Sequence, residues 1–367
     1  MTPTKEQIIK ALSQVRYPGT RQDIVSSGML QEDLKIEGNK VFFSILFPKA
    51  HDPFSTSVVK AAEATLKSFV SEDLEVKGTP LFPEPTPEPK NMLQGVKNIV
   101  AIFSGKGGVG KSTVTANLAV ALSLEGFKVG VLDADIHGPS MPKMFGVEEA
   151  RPVAVSTENG AEAIAPVEVY NGIKLLSIGF FVEPDKALIW RGSMASNALT
   201  QLLTESAWGD LDYLLIDMPP GTSDIHLTLV QTVALTGVVV VTTPQEVALI
   251  DARKGIDMFT TDKVEVPVLG LIENMSWFTP AELPTNRYYI FGKEGGKKLA
   301  QEMGVPLLAE LPLVQSICDS GDAGLPIASH SGSPLASYFK DLATKLHTEV
   351  EKRNKEIPPS HKVEVVH

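Results

Sequence analysis

Residues 104–113 read SGKGGVGKST. Gly105 to Ser112 satisfies G-x-x-x-x-G-K-[ST] in full, between the apolar run NIVAIFS and the stretch TVTANLAVALSLEG, whose apolar spacing predicts a helix. Strand, glycine-rich loop and helix in that order make a phosphate cradle. The glycines let backbone N–H groups wrap the anion, and the helix N-terminus adds its dipole. Gly105, Lys106, Gly107, Gly108, Val109, Gly110, Lys111, Ser112 and Thr113 are the candidate nucleotide-binding residues. Lys111 is expected to neutralise β- and γ-phosphate charge, and Ser112 to ligate Mg²⁺. A loop that only cradles phosphate has no need of Lys106.

Outward from the loop, short β-branched runs alternate with helical stretches: KVGVLD, DYLLID, GVVVVT, PVLGLI and PLLAEL. Continuous apolar strands imply a mostly parallel central sheet covered by helices, an α/β fold. In such sheets ligands bind at the carboxyl ends of the strands. VGVLDAD ends in Asp133 and Asp135, and DYLLIDMPPGTSD carries Asp217 and Asp224. Asp217 is the candidate Mg²⁺ carboxylate, acting through water, with Asp133 as a further metal candidate. A strand-end aspartate alone is more often a helix cap; a full phosphate loop in the same sheet favours the metal role. Gly221 is placed to move with a γ-phosphate, as switch loops do.

The rest of the 367-residue chain frames this domain. Residues 1–76 read as a small α/β unit: TKEQIIKALSQV and STSVVKAAEATLKSFV have helical periodicity, the second with Ser55 or Ser57 as its cap, and KVFFSILF (40–47) reads as a buried strand. Residues 77–96 are expected to be a linker, because five prolines fall between Pro80 and Pro89; a long surface loop is the other reading. The loop-bearing domain is expected over 97–350, its last helix at 335–353 packing an apolar face on the sheet, and a disordered tail over 351–367.

Composition removes several functions. Hydrophobic residues make up 43% and charged residues 21%, and the formal net charge is −11. That balance argues against broad binding to nucleic acid or anionic membrane. The start MTPTKEQIIK lacks a signal-peptide pattern, and the longest apolar stretch, VALTGVVVV (233–241), is shorter than the roughly 18 residues a membrane span needs. Cys318 is the single cysteine, so no intramolecular disulfide forms and a reducing, cytoplasmic location is expected.

KGGVGK resembles the deviant Walker A motif of the MinD, ParA and nitrogenase iron-protein group of P-loop ATPases. The resemblance implies ATP hydrolysis by a homodimer that sandwiches two ATP molecules, with Lys106 reaching in trans to the partner's nucleotide and Asp135 orienting or activating the attacking water. The stretches VLDADIHGPSMPKMFG, IWRGSM, WGDLDYLLIDMPPGTSDIHLTL, TTPQEVALIDARKGIDMF, LIENMSWF and IFGKEGG are similar to the Mrp/NBP35 (ApbC-like) family of iron–sulfur cluster carrier ATPases. This resemblance covers about 97–345. It implies that Asn274 hydrogen-bonds the adenine and that iron–sulfur client or assembly proteins are partners. Residues 5–75 are similar to the MIP18-like domain fused in front of bacterial Mrp.

One family feature is missing. Mrp-type carriers usually place Cys-x-x-Cys between the ENMS and IFG segments, so that a dimer gathers four thiolates for a [4Fe–4S] cluster. Here the segment is ENMSWFTPAELPTNRYYIFG, and Thr279, Pro280, Glu282 and Asn286 are not conventional cluster ligands. Two copies of Cys318 supply two ligands, not four; an inert structural cysteine is the other reading. His137 and His226, inside switch-like motifs, read as structural or surface residues. The sequence therefore supports an ATP- and Mg²⁺-dependent iron–sulfur carrier with unassigned cluster ligands. The alternative is a nucleotide-switched interaction ATPase that carries no cluster.

Overall fold

In the computed structural model the chain divides into two compact units, Met1–Lys90 and Asn91–His367. The structure describes residues 3–18, 20, 22–31, 33–47, 52, 54–82, 93–136, 138–156, 160, 162–181, 192–280, 282–283, 285–358 and 362, without the side chains of residues 192, 193 and 224.

In the first unit, α1 (Lys5–Leu12) starts in a capping box: Thr4 Oγ1 accepts the Gln7 N–H, and Gln7 Oε1 accepts the Thr4 N–H. Three strands, β1 (Lys35–Glu37), β2 (Lys40–Leu46) and β3 (Glu75–Leu81), form a sheet in the order β1-β2-β3. The pair β1/β2 is antiparallel, and β2/β3 is parallel across the helix α2 (Ser55–Phe69). Ile8, Leu12, Ile24, Phe43 and Leu66 fill the space between helices and sheet. Neither Ser55 nor Ser57 caps α2; Ser57 Oγ instead donates to the Phe54 carbonyl at 2.8 Å.

The expected linker over 77–96 needs correction at both ends. Residues 77–81 belong to β3, with Pro80 opposite Ile45. Proline is admitted there because β3 is an edge strand, where one face of the backbone has no partner to bond. At the other end, Val96 already lies in a strand, β4 (Val96–Phe103). The remaining proline-rich residues, 83–92, lie outside the described residues.

The second unit is built on eight strands: β4 (Val96–Phe103), β5 (Val129–Asp133), β8 (Val167–Val169), β9 (Ile173–Ser177), β10 (Leu211–Asp217), β11 (Gly237–Thr242), β12 (Val268–Glu273) and β13 (Leu307–Glu310). A separate antiparallel ribbon joins β6 (Val153–Ser156) and β7 (Glu162–Ala165). The large sheet runs β13-β12-β11-β4-β10-β5-β9-β8, and every neighbouring pair is parallel except β8/β9.

Strand alternation divides the apolar residues between two cores. Ala101, Phe103, Leu214, Ile216, Val238 and Val240 face one cluster, with residues of α5 (Gly192–Thr204), α6 (Asp224–Thr232), α7 (Glu246–Thr260) and α8 (Gly295–Met303). Val100, Ile102, Tyr213, Leu215, Val239 and Val241 face the other, with α3 (Lys111–Leu124) and α10 (Pro334–Glu356). Two short helices, α4 (Met141–Met144) and α9 (Gln315–Asp322), flank the second core. Because both faces are covered, the strands read as unbroken apolar runs.

The expected tail over 351–367 is also corrected. Residues 351–356 continue α10, because Val350 and Arg353 are buried and Arg353 Nη2 donates to the Pro358 carbonyl at 3.0 Å. Asn354 Nδ2 adds a bond to Asn98 Oδ1 at 2.9 Å. Residues 359–361 and 363–367 lie outside the described residues.

Phe103, the last residue of β4, is fully buried and meets His226 and Phe259 edge-on at ring separations of 5.4 and 5.3 Å. Phe103→Ala is expected to lower unfolding free energy by about 3–5 kcal/mol, read from urea denaturation midpoints of the two chains.

Candidate nucleotide site

The register aligns the carboxyl ends of the central strands. Asp217 of β10 sits opposite Ile102 of β4 and Asp133 of β5, and Thr242 of β11 sits opposite Glu273 of β12. The chain leaves β4 at Phe103, turns through 104–110 and enters α3 at Lys111. Gly110 forms the turn with φ +81°, a left-handed conformation, and a Cβ there would fall 2.2 Å from Asn274 Nδ2. Both facts require glycine.

Lys111, Ser112 and Asp217 converge. Lys111 is buried, and its Nζ lies 2.7 Å from Asp217 Oδ2 and 3.3 Å from Ser112 Oγ. Ser112 Oγ donates to the same Asp217 oxygen at 2.6 Å. Thr115 Oγ1 has one proton to donate, and it lies 2.7 Å from Asp217 Oδ1 and 3.0 Å from the Lys111 carbonyl, with the carboxylate the nearer acceptor. Asp217 has no exposed surface, so these contacts replace the water it has lost. Ser112 Oγ and the Asp217 carboxylate are hard oxygen donors in contact, a donor pair that suits Mg²⁺.

Asp133, the further metal candidate, is held by local bonds. Its Oδ2 accepts from Ser177 Oγ at 2.9 Å and the Met141 N–H at 3.1 Å, and its Oδ1 accepts the Asp135 N–H at 3.2 Å. The carboxylate braces the turn from β5 to α4. Burial first, and then the negative charge of Asp217, push its carboxyl up to about 7. Asp135 Oδ2 lies 3.9 Å from Lys111 Nζ, so the structure gathers Asp135, Lys111, Ser112 and Asp217 at one point.

Lys106 is exposed and makes no ion pair among the described residues. Asn274, buried, donates through Nδ2 to the Val109 carbonyl at 2.8 Å, which ties the end of β12 to the phosphate loop. Gly221 donates its N–H to the Ser104 carbonyl at 2.9 Å. His226 is buried: its Nδ1 accepts the Ser223 N–H at 3.0 Å, and its Nε2 lies 3.1 Å from the Pro219 carbonyl. The ring pins both ends of the 219–223 loop, the structural role expected for it. His137, Arg191 of the IWRGSM stretch and the Asp224 side chain lie outside the described residues.

Cys318 lies exposed on α9, with Sγ 3.8 Å from Asp322 Oδ2. The negative charge of Asp322 first, joined by that of Asp319, raises its thiol pKa and disfavours the thiolate. Among the described residues no group of three or more His, Cys, Asp or Glu side chains could hold a metal ion. One polar participant, Thr115, was not singled out in the sequence. Thr115 had a signal, since it lies four residues after Lys111 on the same helix face.

A strand-ended phosphate loop, a strand-end aspartate and a mostly parallel sheet define a P-loop NTPase of MinD/ParA type. Residues 95–347 match the NUBPL iron-transfer P-loop NTPase family, residues 5–77 match the iron–sulfur cluster assembly protein family, and the chain belongs to the former. It is 42% identical to an iron–sulfur cluster carrier protein of Synechocystis sp. over 351 residues, covering 94% of this chain and 98% of that one. It is 49% identical to the protein of that description in Escherichia coli K12 over 267 residues, 72% of this chain and 70% of the relative. Among solved structures, a nucleotide-binding protein from Archaeoglobus fulgidus in complex with ADP aligns with TM-score 0.57 and 36% identity, covering 68% of this chain and 93% of that chain. The cell-division ATPase MinD of Pyrococcus furiosus aligns with TM-score 0.51 and 25% identity, covering 68% and 98%.

Burial lowers the His226 pKa below the ordinary imidazole value of about 6.5. The neutral ring therefore stabilises the fold fully above that value, and the contribution is lost as pH falls toward the folded-state pKa, because the unfolded chain protonates first. His226→Gln is expected to flatten the loss of stability as pH falls below about 6.5, measured by denaturant melts across pH; an unchanged acid limb would contradict the buried neutral ring.

Proposed function

We propose that this chain is an ATP-hydrolysing iron–sulfur cluster carrier that acts in the cytoplasm as a nucleotide-sandwich homodimer. The reading is carried by the buried convergence of Lys111, Ser112 and Asp217 at the phosphate loop, in a chain of this family. The loop N–H groups bind the phosphates, and Lys111 turns its charge from Asp217 to the β- and γ-phosphates. Ser112 and Asp217 would hold Mg²⁺, Asp217 through water; the metal neutralises charge that develops on the phosphates. Asp133 keeps the adjoining turn in shape, and Asp135 orients the attacking water. Asn274 reads the adenine from the end of β12. Lys106 supplies positive charge to the partner's nucleotide, a role supported by its exposure beside a loop that already has Lys111. One thiol in the whole chain and no membrane-crossing helix among the described residues support the cytoplasmic placement.

The cluster is cargo, and client or assembly proteins are its source and destination. With Cys318 as the only thiol, thiolates of the protein that delivers or receives the cluster complete its ligation. The alternative, a nucleotide-switched ATPase that never handles a cluster, is disfavoured by relatives described as cluster carriers across nearly the whole chain.

Lys111→Ala is expected to abolish ATP binding in calorimetry. Lys106→Ala and Asp135→Ala are expected to bind ATP and lose turnover by about 10²-fold or more, since each acts on transition-state charge or water. Normal hydrolysis by Lys106→Ala would remove the trans role. Anaerobic reconstitution with iron and sulfide tests the cargo reading. Neither wild type nor Cys318→Ala is expected to retain a stable cluster alone, and both are expected to retain iron and visible absorption when a thiolate-bearing apo-protein is present. A stable cluster on isolated wild type that Cys318→Ala lacks would instead make Cys318 a ligand.

A further inference from the structure

The nucleotide site does not use the side chain of Glu273, the last residue of β12, although no part of it is exposed. Its Oε2 accepts the N–H of Gly296 in the first turn of α8. Its Oε1 is buried with no hydrogen-bond partner among the described residues. A carboxylate is costly to bury half-satisfied, so its place in the fold calls for a reason.

What Glu273 joins supplies one. The chain leaves β12 at residue 273 and re-enters helix at Gly295, and the bond to Gly296 closes the two ends of everything between. Inside that closure Phe278 and Tyr288 exchange both backbone bonds at 2.8 Å, and the Arg287 guanidinium lies 4.1 Å above the Trp277 ring. That single bridge turns the segment back on itself as a hairpin, described except for residues 281 and 284, with the buried Trp277 at its base. Its outer surface exposes Leu283, Tyr288, Tyr289 and Ile290.

The hairpin root has little slack. Asn274 is bonded to the Val109 carbonyl of the phosphate loop, and its amide fills the space over Gly110. Met275 is held at φ +58°, in the left-handed region. Ser276 Oγ donates to the Glu273 carbonyl at 2.9 Å, and the Ser276 N–H donates to the Leu311 carbonyl at 2.9 Å. A displacement of the Val109 carbonyl therefore reaches the first stem of the hairpin through one side-chain bond, and Glu273 transfers it to the second stem.

We propose that Glu273 is a positioning residue that clasps the two stems of the 277–289 hairpin, so that occupation of the phosphate loop, felt through Val109 and Asn274, changes the order of the hairpin. The proposal rests on the nucleotide reading of that loop. It makes the exposed apolar hairpin the surface on which nucleotide state is displayed.

Hydrogen–deuterium exchange on the full chain, with and without Mg-ATP, tests it alongside calorimetry for ATP. In wild type, ATP is expected to slow exchange of the 278–290 amides by about tenfold or more. Glu273→Gln keeps one acceptor for Gly296 and is expected to keep that response. Glu273→Met keeps the volume and removes both acceptors; its response is expected to fall below about twofold while ATP affinity stays within about threefold of wild type. A full response in Glu273→Met would overturn the proposal. If that variant does not fold, wild type still decides: bound ATP with unchanged exchange over 278–290 overturns the coupling. Failure of wild type to bind ATP overturns the nucleotide reading itself, and calorimetry separates that failure from the other.

Discussion

The buried ion pair between Lys111 and Asp217 is the constraint on which the site is built. Asp217 has no contact with solvent, and it accepts from the Lys111 ammonium and from the hydroxyls of Ser112 and Thr115. Removing one partner of such a pair typically costs about 3–5 kcal/mol, because the remaining charge is stranded. The first turn of α3 is thereby locked to the end of β10. The same groups are the ones a nucleotide and its metal would engage. On the proposed reading, ligand entry would be an exchange of partners: phosphate would take the ammonium, and a cation would take its place near Asp217. Little reorganisation is needed, which is the economy that preorganised polar sites offer.

Two further buried polar groups extend that rigidity into the flanking loops. Asp133 collects Ser177 Oγ and the backbone N–H groups of Asp135 and Met141, and so fixes the turn that carries Asp135. His226 bridges Ser223 and Pro219 and packs edge-on against Phe103. Phe103 is the residue from which the phosphate loop departs. Core packing, the loop and the 219–223 segment thus share side chains, and a change in one is felt by the others.

How much of this was legible in the sequence depended on how local the physics is. The phosphate loop was fully legible, since its N–H groups, Lys111 and Ser112 lie within ten consecutive residues. The strands were legible because both faces are covered, and the apolar runs follow directly from that. Sheet order was not, because β4 lies between β10 and β11, far away in the chain. Pro80 misled for a related reason: proline excludes a central strand, and nothing in the local sequence reveals that β3 lies at an edge. The end of α10 was misplaced because the bond from Arg353 to Pro358 and the one from Asn354 to Asn98 depend on tertiary contact. Thr115 and Glu273 acquire their roles only when Asp217 and Gly296 are brought beside them.

The contrast between the nucleotide site and the cargo follows from the same distinction. A phosphate cradle is built from consecutive backbone groups, so one chain can supply nearly all of it. A cluster site is built from soft thiolates that any neighbouring chain can contribute, and ligand exchange between thiolates is how a cluster moves from one protein to another. A chain that offers one exposed cysteine, whose neighbours Asp319 and Asp322 oppose its ionisation, holds little of the cluster by itself. On the proposed reading its hold on cargo is borrowed from the protein it meets. Nucleotide state then acts less by gripping the cluster than by setting which surfaces are ordered at that meeting. The 277–289 hairpin, which begins three residues after the phosphate loop's own partner Asn274, is the part of the fold best placed to carry that information.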